Sequence, residues 1–112
     1  MKLYKGFDKD LKCRDFQYEI GKEYEHKGQV KTCESGFHAC ENPLDVFNYY
    51  PPSDSRFCEV EGEGEINKGT NDSKVAVSKL RIGVEIGLKG IIEAGVKFIL
   101  EKVDWENAKE SN

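Results

Sequence analysis

The stretch Arg56-Phe57-Cys58-Glu59-Val60-Glu61-Gly62-Glu63-Gly64-Glu65-Ile66 leaves this chain of 112 residues few ways to fold. Side chains along an extended strand point alternately to its two faces. Glu59, Glu61, Glu63 and Glu65 therefore share one side, with Cys58, Val60, Gly62, Gly64 and Ile66 on the other. Residues 67–73 form a turn-rich loop, and 74–82 resumes the alternation, with Val75, Val77, Lys79 and Arg81 opposite Ala76, Ser78, Leu80 and Ile82. An antiparallel hairpin of 56–66 with 74–82 is the simplest joining.

Shorter extended pieces precede it. Met1 to Lys5 reads as a first strand ending at Gly6, with Leu3 and Tyr4 on opposite faces. Residues 8–15 are charged and read as a loop, with Leu11 and Cys13 as inward anchors. Phe16, Tyr18 and Ile20 alternate with Gln17 and Glu19 up to Gly21. Further strands are expected at Glu23–Glu25, at Val30–Cys33 and at Phe37–Cys40. Asn42-Pro43 then starts a short helix over about 43–50, because Asn caps the first turn and Pro lacks an amide that would be unpaired there. Pro51-Pro52 stops it.

The last periodic segment is helical. Leu88, Ile91, Ile92, Gly95, Val96, Ile99 and Val103 recur at helical spacing, while Lys89, Glu93, Lys97 and Glu101 follow one another four apart. This predicts an amphipathic helix over about 86–102 lying on the sheet, with Gly90 and Gly95 marking close approach to a neighbour. Trp105 is expected under the sheet edge. The fold class is thus α+β: a mostly antiparallel sheet of about five or six strands, one short helix, and a C-terminal helix on one face. Residues 1–104 form the single domain and 105–112 a polar tail.

A net charge of −4 disfavours direct nucleic-acid binding, which rests on Lys and Arg neutralising phosphates. No apolar run approaches the roughly 20 residues of a membrane helix, and Met1–Gly6 shows no signal-peptide core, so a cytoplasmic protein with free thiols is expected. Three sets of residues invite chemistry. Cys33, His38 and Cys40, completed by Cys13, Cys58 or His26, offer zinc-type ligands, but without the closely spaced pairs of structural sites. The expected state is buried thiols, with no metal and no cofactor. Cys40 or Cys33 beside His38 or His26 offers a nucleophile and base, yet no catalytic pattern surrounds them, and no catalytic residue is assigned. The third set is the acidic row. Its carboxylates stand about 6.5–7 Å apart on a strand, close to the phosphate spacing of an extended nucleic-acid strand. A solvated or charge-protected strand competes with that functional reading.

Taken whole, the chain resembles a family of small proteins from phages and mobile elements of Gram-positive bacteria. The residues that carry this are Tyr4-Lys5-Gly6-Phe7, Leu11-Lys12-Cys13-Arg14, Phe16-Gln17-Tyr18, residues 36–46, Arg56-Phe57-Cys58-Glu59-Val60 and residues 85–90. The resemblance implies a protein acting on a host system inside a bacterial cell. With the acidic row it gives the leading expectation: an accessory protein that binds and inhibits a host defence component, for example a CRISPR effector. Glu59, Glu61, Glu63 and Glu65 would be presented to a host protein with a basic nucleic-acid-binding surface. The order of elements also resembles that of ADP-ribosyltransferases. That likeness implies NAD chemistry with Glu61 or Glu63 as the acid, though the first strand carries Lys5 where that family has Arg or His. A structural domain without ligand is the third alternative.

Overall fold

The computed structural model describes residues 1–30, 35–69 and 72–110, with side chains through 103. The expected hairpin is its longest feature. β6 (Arg56–Lys68) pairs antiparallel with β7 (Lys74–Glu85), each running past the predicted ends. Two register shifts interrupt the ladder, one between Glu59 and Val60 and one between Glu63 and Ile66. At the second, Gly64 takes a left-handed φ of 77°, which costs a glycine nothing, and the Ser78 hydroxyl accepts a bond from the Glu65 amide at 2.8 Å.

Such bulges bend and coil a hairpin, and here the bend closes a barrel. β1 (Lys2–Phe7) runs along β6, from Lys2 opposite Glu61 to Phe7 opposite Arg56. β5 (Phe37–Cys40) runs along β7, from Phe37 opposite Val77 to Cys40 opposite Lys74. β1 and β5 then meet at one pair, Tyr4 opposite Cys40. A fifth strand, β4 (Glu23–Glu25), continues along the β7 edge that β5 leaves. The sheet thus has five antiparallel strands, four of them forming the barrel.

Leu3, Phe7, Cys58, Val60, Val75, Val77, Leu80 and Ile82 fill the interior, and Leu11 and Tyr18 close one end. Strict alternation sets Val75 and Val77 on the face opposite Leu80 and Ile82. All four are buried together instead, because β7 changes parity around Ser78, opposite the bulge. A second cluster lies outside the barrel wall, where Cys40, Val46, Phe57 and Ile91 pack with Tyr4, Phe47, Tyr50 and Ile86.

The short helix is a 3-10 helix over Pro43–Asn48, tighter and shorter than the predicted one. The Asn42 side chain caps it by accepting from the Leu44 amide at 3.1 Å, as the sequence indicates. The C-terminal helix α1 spans Gly87–Glu110, so its backbone stays helical through the stretch read as a tail. Gly95 does mark a close approach: a Cβ there would lie 2.5 Å from Leu44 Cγ. As expected, the C-terminal helix packs against the sheet, and it does so through its first turns. Ile91 is fully buried, but Leu88, Ile92, Val96, Ile99 and Val103 are each at least 41% exposed. The helix contacts β6 and the 3-10 helix, and one face of its later turns has no sheet beneath it. The Trp105 side chain and the proposed strand beyond Val30 fall outside the described residues.

The predicted strand from Phe16 shrinks to a tight hairpin: β2 (Lys12–Cys13) with β3 (Phe16–Gln17). Its two turn residues, Arg14 and Asp15, have φ of 51° and 65°. Tyr18 is buried, whereas Phe16 and Ile20 are 44% and 47% exposed, because the chain turns inward at Tyr18 to bond the Leu11 carbonyl.

Candidate functional site

Alternation along β1 sends Leu3, Lys5 and Phe7 to the same side, so the barrel that buries Leu3 and Phe7 also buries Lys5. Lys5 is 4% exposed. Past the single Tyr4–Cys40 pair, β1 and β5 part, and the lysine side chain takes over the missing rung. Its Nζ donates to the His38 carbonyl at 2.5 Å and reaches Cys13 Sγ at 3.7 Å. The rings of Phe7 and Tyr18 lie 5.7 and 5.5 Å from it. Among the described residues no carboxylate pairs with this amine. Burial pushes its pKa down, with the nearby Cys13 thiol opposing the shift.

The parting of the strands opens a slot of about 790 Å³, within the range of small-molecule sites. Its walls reverse the character of the chain. Among the described residues Lys5, Arg14, Lys27 and Lys74 line it with His26 and His38, against one carboxylate, Glu25. Lys74 is itself 8% exposed, and its ammonium sits 4.4 Å above the Tyr49 ring. The Tyr49 hydroxyl donates to Asp72 at 2.6 Å, a bond that holds the Asp72 carboxyl below the ordinary carboxylate range.

Aromatic rings complete the slot. Phe16, Tyr18, Tyr24 and Phe37 form one group with centroids 4.7–6.3 Å apart, each ring touching the other three. His26 packs edge-on to Phe37 at 6.5 Å. Phe16, at 44% exposed, presents the most accessible ring of the four.

Cys13 and Cys40 both line the slot, whereas Cys58 stands apart from them. Cys40 lies in the outer cluster and Cys58 inside the barrel, so the barrel wall separates them. Burial raises both, each to about 12, and a thiol held that high stays protonated at neutral pH and is a poor nucleophile. Cys33 lies outside the described residues. Among the described residues no three His, Cys, Asp or Glu side chains converge on a possible metal position.

The acidic row is partly compensated. Glu59 pairs with Lys2 at 2.9 Å and Glu61 with the N-terminal amine at 2.7 Å. Glu63 stands across from Lys79, and the bulge at Gly64 breaks the alternation before Glu65. Neither Glu63 nor Glu65 has an ion-pair partner among the described residues. Glu61 and Glu63, the acids implied by the transferase likeness, do not line the slot. Conversely, Arg14, Tyr24, Phe37 and Lys74 line it without having been singled out. The parity of Lys5 with Leu3 and Phe7 along β1 is the sequence signal that could have pointed there.

Residues 1–94 match the family described as Domain of unknown function (DUF7666). The chain belongs to that family. The DUF7666 match covers the barrel, the slot and the first turns of α1, and ends inside the helix near Gly95. No curated protein and no solved structure matches the chain. No helix among the described residues is long and apolar enough to cross a membrane.

Proposed function

We propose that this DUF7666 domain binds a small anionic molecule carrying an aromatic ring, of the nucleotide class, in the slot between β1 and β5. The carrying observation is Lys5: a buried amine at the cavity wall, held by a carbonyl and two ring faces, with no carboxylate partner among the described residues. A buried charge without a counter-ion is costly, and an anionic ligand supplies one. The four cations on the walls give such a ligand a matching field, and the Phe16–Phe37 group gives its ring a stacking surface. The resemblance to NAD-using enzymes points to the same ligand class, although the acid it implies is not at the slot. ADP is expected to raise the midpoint of thermal unfolding in proportion to the logarithm of its concentration. Adenosine, with the same ring and no charge, is expected to do so much less. Equal responses to the two, or none to either, would remove the proposal.

A second reading keeps the acidic surface, favoured by the exposed and uncompensated Glu63 and Glu65. In it the domain, encoded by a phage or mobile element as its sequence resemblance implies, occupies the basic nucleic-acid-binding surface of a host defence protein. Attraction of that kind weakens with salt. Reversing both charges, as Glu63→Lys with Glu65→Lys, is expected to release a basic partner captured from host lysate. Retention of the partner by the reversed variant at high salt would exclude the idea.

A further inference from the structure

We propose that Arg14 grips the ligand's anionic group at the mouth of the slot, and that the β2–β3 turn holds an unfavourable backbone to place it there. This rests on the nucleotide-class reading of the slot. A two-residue hairpin turn with both central residues at positive φ strongly favours Asn-Gly or Asp-Gly. This one uses Arg14-Asp15, at 51° and 65°, and the preceding Leu11 is left-handed as well, at 61°. Long side chains rarely adopt that conformation, and such backbone tends to be kept where function requires it.

The rest of the hairpin is built to hold still. Leu11 and Tyr18 anchor its two ends in the barrel mouth. The Gln17 side-chain amide donates to the Asp10 and Tyr18 carbonyls, both at 2.9 Å. The Asp8 carboxylate accepts from the Asp10 and Lys12 amides through Oδ1, at 2.9 Å each, which fixes the approach to the turn. Arg14 is left exposed, and its guanidinium has no hydrogen-bond or ion-pair partner among the described residues. It lines the same slot as Lys5. Burial raises the Tyr50 phenol's pKa, and the Arg14 charge across the mouth opposes that rise.

A guanidinium without an internal partner among the described residues, carried on a fixed turn, is available to a phosphoryl or carboxylate group, which its fork can meet with two parallel bonds. Lys5 would then meet the same ligand from the floor of the slot while Arg14 meets it from the rim.

The test uses the full chain and ADP as the probe, with calorimetric titration and thermal unfolding on each variant. Arg14→Asn suits the backbone better than arginine, so its unfolding midpoint is expected to rise by on the order of 3 °C. Its ADP affinity is expected to fall by on the order of tenfold. Arg14→Lys keeps the charge without the fork and should fall between the two in affinity. If Arg14→Asn is more stable yet binds ADP as tightly as the parent, the assignment of Arg14 is wrong while the slot stands. A lower midpoint for Arg14→Asn also overturns it, because the arginine would then serve the fold. If the parent itself does not bind ADP, the slot reading falls and this assignment falls with it.

Discussion

With Lys5 replaced by methionine, ADP binding is expected to weaken about 10- to 100-fold while the domain stays folded. A hydrogen bond to a charged group contributes about 1.5–3 kcal/mol, which converts to that range of affinity. The effect on stability is the sum of two opposed terms. Methionine removes a buried charge whose desolvation costs several kcal/mol, and it fills much the same volume. It also leaves the His38 carbonyl unpaired, at about 1–3 kcal/mol. A pH series separates the lysine's contribution. Burial sets the folded-state pKa of Lys5 below its ordinary 10.5. Between those two values the unfolded chain holds more protons at this site than the folded one, so stability rises with pH there. The methionine variant should lack that rise. Unchanged ADP affinity in a folded Lys5→Met protein would show that the lysine is a structural filler.

Phe57→Ala is expected to cost about 3–5 kcal/mol, the largest effect of any single change considered. A domain of this size has about 5–15 kcal/mol in all, so the variant would be close to unfolding. Phe57 is fully buried on β6, and its ring meets Phe47 edge-on at 5.5 Å and 88°. It joins the 3-10 helix and the first turns of α1 to the barrel wall through Val46 and Ile91. Its carbonyl also accepts the Ile86 amide at 2.9 Å, fixing where the chain leaves β7 for the helix. Alanine would leave a cavity between three elements that cannot collapse together. Phe57→Leu, closer in volume, should cost about 1.5 kcal/mol or less. Urea unfolding measures both, and a loss below about 1 kcal/mol for alanine would mean that the outer cluster contributes little to the fold.

The elements with local periodicity could be read in advance, and the ones made by long-range closure could not. The β6–β7 hairpin follows from the alternation around Glu59–Glu65, the 3-10 helix from Asn42-Pro43 and Pro51, and α1 from the spacing of Leu88 to Val103. The β2–β3 hairpin escaped notice because Arg14 and Asp15 do the work usually done by Asn and Gly. The acidic row was visible as a composition, but its neutralisation depends on Lys2 and the N-terminal amine, which β1 brings alongside β6. The slot was the hardest feature to foresee. It exists because two strands 30 residues apart in the chain touch at one pair and then separate. Nothing in either strand alone encodes that gap.

The single Tyr4–Cys40 contact has a consequence for how the barrel moves. A closed ring of strands ordinarily resists opening, because parting any two neighbours breaks a full ladder. Here one hoop is fastened by a single stitch and a lysine side chain, while the β1–β6 and β6–β7 seams run for many residues. Opening the ring is therefore least costly at the side where the slot lies, since one backbone pair and one side-chain bond are what must break there.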